Sequence, residues 1–197
     1  MTVTRLEGAE GWRKNFAGDG MRVLYTSASS MDSQVVNGTY WNIRNSATSP
    51  SFDAMFDVGG NPTNISFKTN IPFTAAISQV TTTDDFGYND IDADSEKVWD
   101  SAHYSSSTAE IELSGFAANE IVDLVIGGIA NSGTTRGGIY IILNDGRQAE
   151  VVNSDGNATG PIIFKDIHPV DGSIKIQFDM ITSFIYFNIL DILTKKR

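Results

Sequence analysis

Asp90, Asp92, Asp94 and Glu96 set four carboxylates at every second position of Asp90-Ile-Asp-Ala-Asp-Ser-Glu96. Such hard oxygen donors suit Ca²⁺, which takes about six to eight of them. The stretch is no EF-hand, since it lacks the loop glycine and the closing glutamate. In an extended strand all four would fall on one side and repel one another, which favours a solvated acidic loop, with Ca²⁺ as the alternative. Two aromatic clusters could stack on a pyranose ring while amides, carboxylates or a guanidinium take its hydroxyls. One is Tyr40-Trp41-Asn42 with Arg44; the other is Tyr88 with Trp99, Asp100 and Tyr104. The competing reading is that a lone tryptophan packs in a core or pins a loop. Catalytic machinery is harder to find. His103 and His168 are the only histidines, no Gly-x-Ser-x-Gly elbow occurs, and Gly127-Gly128 lacks the lysine of a phosphate loop. The many acidic residues include no marked pair of the glycosidase kind. No catalytic residue, no enzymatic activity and no obligatory cofactor are expected.

The segments that must position these groups read as strands. Met21–Thr26 and Ser51–Asp57 are short apolar runs, the latter stopped by Gly59-Gly60-Asn61-Pro62. Asn64–Lys68 alternates with period two, as do Ala109–Leu113 and Ile174–Phe178, each leaving one face polar. Ile121–Ile126 and Pro161–Phe164 are nearly continuous apolar runs. Gly138–Leu143 and Arg147–Val152 flank Asn144-Asp-Gly146, which predicts a hairpin with a type I′ turn, and Asp171-Gly172 predicts a second reversal. Phe184–Leu193 is apolar on both faces and predicts one long central strand covered from two sides. Residues 70–107 are the least regular part, with a short helical turn expected near Asp94–Ser101. About ten β-runs with no long helical period predict an all-β fold, an antiparallel β-sandwich of jelly-roll type. Residues 1–20 read as a short irregular arm and 21–197 as the single sandwich domain.

Composition narrows the function classes. Among 197 residues, 24 acidic against 14 basic side chains give a net charge of -10, which repels phosphate backbones and argues against nucleic acid as a partner. There are no cysteines, so disulfides, thiolate metal sites and cysteine nucleophiles are all ruled out. The N-terminus has no apolar signal-peptide core, and no run is long enough to span a bilayer, so membrane insertion is not expected. The sequons at Asn37, Asn64 and Asn157 are accordingly expected to be turn residues. Lys195-Lys-Arg197 reads as a frayed basic tail.

The order of motifs resembles galactose-binding-like β-sandwich modules over about Asn37 to Leu193. The residues that carry it include Asn37-Gly-Thr-Tyr-Trp-Asn42, Thr63-Asn-Ile-Ser-Phe67, Ala109-Glu-Ile-Glu-Leu-Ser-Gly-Phe116, Gly138-Ile-Tyr-Ile-Ile-Leu-Asn144, Asp171-Gly-Ser-Ile-Lys-Ile-Gln177 and Tyr186-Phe-Asn-Ile-Leu-Asp-Ile192. Such modules occur in bacteriophage virion proteins and beside bacterial carbohydrate-active enzymes. The resemblance implies a jelly-roll sandwich whose loops at one end contact a ligand or partner. It also implies a non-catalytic virion role, as capsid decoration, head fibre or tail-associated subunit, with the virion as location and with self and other virion proteins as partners. In that role Trp12 and Phe16 of the arm serve as apolar assembly anchors. A carbohydrate-binding module of a bacterial surface protein or enzyme is the alternative, and a host-surface glycan is the further partner expected. A fold shared so widely fixes neither occupation.

Overall fold

The computed structural model describes residues 4–5, 20–27, 34–36, 38–43, 48–78, 101–130, 136–154 and 158–196. Along them run β1 (Thr4–Arg5), β2 (Arg22–Thr26), β3 (Val35–Val36), β4 (Thr39–Tyr40), β5 (Asn42–Ile43), β6 (Ser66–Ile71), β7 (Ala75–Ser78) and β8 (Ser101–Ser105). Then follow β9 (Ala109–Ser114), β10 (Glu120–Gly127), β11 (Gly137–Ile142), β12 (Arg147–Val152), β13 (Ile162–Ile167), β14 (Ser173–Met180), β15 (Ile185–Phe187) and β16 (Ile189–Lys196). Among the described residues there is no helix. A six-stranded sheet in the order β1-β13-β10-β16-β2-β5 faces a five-stranded sheet in the order β12-β11-β14-β9-β6. All pairings within the two are antiparallel except the short parallel pair of β2 with β5. This is the antiparallel jelly-roll sandwich that the alternating runs predict.

The inward faces build one core. Val122, Leu124 and Ile126 from β10 and Leu190 and Ile192 from β16 meet Ile111, Leu113, Ile176 and Phe178 across the gap. Tyr25, Phe67 and Phe187 stack through it nearly parallel, with Tyr25 5.0 Å from Phe67 and 5.4 Å from Phe187. Period two turns Glu110, Glu112, Lys175 and Gln177 outward on the five-stranded sheet, so that face is polar. The six-stranded sheet behaves differently. Its outward residues Leu24, Val125, Ile163 and Ile189 are also buried, under Trp41, Ile129 and Ala158. Thus β10 and β16 are covered on both faces, which is why their sequences lack alternation.

The same outward face buries a charge. Arg22 donates to Asp191 through Nε (3.0 Å) and Nη2 (2.6 Å), and the Asp191 side chain has no exposure. At the lower edge Lys195 donates to Asp123 (2.7 Å) and Asp166 (3.2 Å). Burial pulls the Lys195 ammonium down, but the bonds to the two carboxylates outweigh it and hold the group above its ordinary value.

Five expectations need correction, the first being the frayed tail, since Lys195 and Lys196 belong to β16 and lie opposite Ile121 and Glu120. The Asn144-Asp-Gly146 reversal is not type I′: Ile142 pairs with Arg147 around a longer loop, with Gly146 (φ 73) the one positive-φ residue in it. The loop bends around Gly146 N–H donating to Ile142 O (2.8 Å), a bond that needs only one left-handed residue. Type I′ geometry occurs instead at Asp171 (φ 51) and Gly172 (φ 71), inside the reciprocal Val170–Ser173 bonds of 2.9 Å. Phe184–Leu193 is two strands in two sheets, broken at Asn188, with β15 joining β8 and β7 in a small third sheet. The run Ser51–Asp57 forms only isolated bridges, Phe52 with Phe67 and Phe56 with Pro62. Finally, the arm is not wholly irregular, since Thr4–Arg5 adds an edge strand against Ile162 and Ile163. The helical turn expected near Asp94–Ser101 lies outside the described residues but for Ser101, which begins β8.

Candidate functional site

The break at Asn188 decides what stands at one end of the sandwich. Asn188 is fully buried, donates from its side chain to Ser101 O (2.7 Å) and accepts from Ile129 N–H (2.7 Å). Its backbone N–H donates to Gly127 O and its carbonyl accepts from Ser27, both at 2.9 Å. One polar residue inside an apolar run thus ties four segments together and lets the chain leave one sheet for another. Ser27, Ser101, Ala130, Arg136 and Ser154 lie at this end.

On the third sheet Tyr104 of β8 is directly opposite Tyr186 of β15, with ring centroids 5.7 Å apart. Tyr104 also meets Phe184 edge-on at 5.2 Å. The Arg136 guanidinium lies over Phe184 at 5.1 Å and over Tyr186 at 5.5 Å, and it donates to the Tyr186 hydroxyl. Tyr186 is buried, whereas Tyr104, Phe184 and Arg136 are each partly exposed. The arrangement is a partly exposed aromatic corner with a cation on one ring, which offers apolar faces and N–H donors side by side. Beneath it Tyr140 donates to Tyr186 O (2.7 Å). Burial pushes the Tyr140 phenol well above its ordinary range, so the hydroxyl keeps its proton.

Among the described residues singled out from sequence, Tyr104 alone belongs to this corner. Trp41 is correctly read only as a core residue: it has no exposure and packs with Leu24, Val125 and Ile189, so its ring offers no face to a sugar. Asn42 is buried too, its amide donating to Leu24 O (2.9 Å) and Phe56 O (2.8 Å) and accepting from Phe56 N–H (2.9 Å). Those bonds fasten the 48–61 stretch over the six-stranded sheet and leave no amide edge for a ligand. Tyr40 is half-buried, tilted on Phe56 at 5.1 Å, and donates to Gln34 (2.6 Å). Arg44, Tyr88, Trp99 and Asp100, the calcium candidates Asp90, Asp92, Asp94 and Glu96, and the arm anchors Trp12 and Phe16 lie outside the described residues. Among the described residues no group of three acidic or histidine side chains is placed to hold a metal. Asn64 is exposed at a bend before β6, while Asn37 and Asn157 are outside the described residues. His103 is fully buried, its Nε2 2.7 Å from the Tyr25 hydroxyl. His168 is exposed just past the end of β13.

Phe184 and Tyr186 were missed because the run from Phe184 to Leu193 reads as one strand, and Arg136 because no local pattern marks it. The signal that could have found the first two is Asn188, a polar residue with no alternation to explain it.

A groove of about 420 Å³ sits at the opposite end, between the 143–146 loop and the 170–172 turn. It is lined by Leu143 and Val170 with Glu112, Asn144, Asp171 and Lys175. The Asn70 amide (2.9 Å) holds the Glu112 carboxyl below its usual range against slight burial, with Ser173, Lys175 and Lys68 adding to the effect.

No protein-family model matches the chain, and no curated protein does. Two solved structures are similar to it. One is CBM35 from Cellvibrio japonicus Abf62, at 17% identity and a TM-score of 0.35, covering 49% of this chain and 77% of that one. The other is the CBM32-5 module of GH89 from Clostridium perfringens, in complex with GalNAc-β-1,3-galactose, at 13% identity and a TM-score of 0.27, covering 62% and 94%. Both are carbohydrate-binding modules, and scores this low transfer no residue to the present chain.

Proposed function

We propose that the chain is a non-catalytic recognition module for glycans, with Tyr104, Phe184 and Arg136 as its ligand face. The observation that supports the reading is the partly exposed Tyr104–Phe184 edge-to-face pair carrying the Arg136 guanidinium. Apolar C–H faces of a sugar pack on such rings, and the guanidinium donates to hydroxyl or carboxylate oxygens. An array of neutral and acidic oligosaccharides, followed by calorimetry on the best binder, tests it. Phe184→Ala and Tyr104→Ala are expected to weaken binding about tenfold or more, since one ring–sugar contact is worth on the order of 1–2 kcal/mol. Unfolding midpoints should move far less than for a core aromatic. Silence across the array, or binding indifferent to both variants, would remove the proposal.

A second reading, an assembly subunit of a bacteriophage virion, is favoured by the exposed Leu143 (41%) and Val170 (55%) beside the groove at the other end. Apolar side chains grouped at a concavity mark contact surfaces. It expects a homo-oligomer in solution, measured by light scattering, and co-assembly with virion components. A monomer that joins no particle would count against it.

A further inference from the structure

Arg136 and Tyr186 sit on segments that are far apart in sequence, and a guanidinium lies over a ring only if both backbones are held in register. Asn153 touches both. Its backbone N–H donates to Arg136 O (2.7 Å), while its side-chain Oδ1 accepts from Tyr186 N–H (3.2 Å). Its Nδ2 donates to Gly128 O (2.6 Å) and lies 3.2 Å from the Tyr140 hydroxyl, the same hydroxyl that donates to Tyr186 O. The next residue closes the other side, with Arg136 N–H donating to Ser154 Oγ (2.8 Å). Asn153 is 1% exposed and so out of reach of any ligand. The contact is tight, because a Cβ on Gly128 would stand 1.9 Å from Tyr186 O and 2.5 Å from the Tyr140 hydroxyl.

We propose that Asn153 is the positioning residue of the aromatic–arginine corner, the buried group that sets where the Arg136 guanidinium lies over Phe184 and Tyr186. An amide suits the position because it offers one acceptor and two donors in a plane, matching one N–H, one carbonyl and one hydroxyl. Alanine would keep the backbone bond to Arg136 and drop the side-chain bonds to Tyr186 and Gly128. The register of β15 against the 136 segment would then rest on the Tyr140 hydroxyl, the Gly137 carbonyl and Arg136 itself, and a loosely supported site loses its geometry first.

The test reads geometry without a ligand, because the link to binding rests on the function proposed above. In isotope-labelled protein the Arg136 side-chain protons should be shifted upfield by the two rings, and Phe184→Leu, which removes one ring, should reduce that shift. Asn153→Ala is expected to collapse it while the Ile111 and Leu124 methyl resonances stay in place. Ser154→Ala, which frees the Arg136 N–H and leaves the core alone, is expected to reduce it as well, and it serves if Asn153→Ala does not fold. An Arg136 shift unchanged in whichever of these two variants folds overturns the proposal. If a glycan ligand is in hand, Asn153→Ala should bind it about tenfold more weakly, the effect of about one lost hydrogen bond's worth of order. Loss of the shift with no glycan bound by the wild type would leave the positioning role standing and fail only the ligand reading.

Discussion

Asp191→Ala should lower stability by about 3 kcal/mol or more, because breaking a buried ion pair typically costs about 3–5 kcal/mol. The carboxylate is fully buried at the centre of the six-stranded sheet and receives two bonds from Arg22, whose own side chain is 21% exposed. That partial exposure lets water soften the loss and places the value toward the lower end of the range. Removing the acid takes away the bidentate partner of the guanidinium without removing the guanidinium. The control is Arg22→Met with Asp191→Leu, which removes both charges and should recover much of the loss. Urea unfolding gives all three numbers. A loss below about 1 kcal/mol for the single variant would place the pair among surface ion pairs.

Trp41→Ala should cost about 3–5 kcal/mol, the range for deleting a buried large aromatic. Trp41 is wholly enclosed by Leu24, Val125, Ile163 and Ile189, so alanine leaves a large hole under the outer face of the sheet. Were Trp41 a sugar platform, the same change would abolish binding and leave the unfolding midpoint unmoved. The two outcomes are opposite, and one thermal or urea titration beside one binding isotherm separates them. Phe184→Ala is the counterpart at the partly exposed corner and should show the reverse pattern.

The contrast between these two aromatics marks how far the sequence could be read. Strands with one wet face announce themselves through alternation, and Ala109–Ser114 and Ser173–Met180 pair as their patterns require. Asp171-Gly172 gave its turn for a local reason, two adjacent left-handed residues. What stayed hidden depends on partners distant in the chain. Nothing near Trp41 tells that Leu24, Val125, Ile163 and Ile189 from four other strands, with Val58, will enclose it. Nothing near Arg136 tells that it will lie on Phe184, because the residue bonded to both the Arg136 and the Tyr186 backbones is Asn153, from elsewhere in the chain. Side chains whose role is set by a neighbour at long range carry no local period.

The placement of β16 governs when this chain can fold. It is the last strand described, yet it lies between β10 and β2, and it is what joins Arg22 to Asp191 across 169 residues. During synthesis β2 lacks this central partner until the chain has grown by the 169 residues that separate Arg22 from Asp191. Closure of so distant a pairing is entropically slow, and a chain halted short of β16 would hold β2 and one edge of β10 open to strands of other molecules.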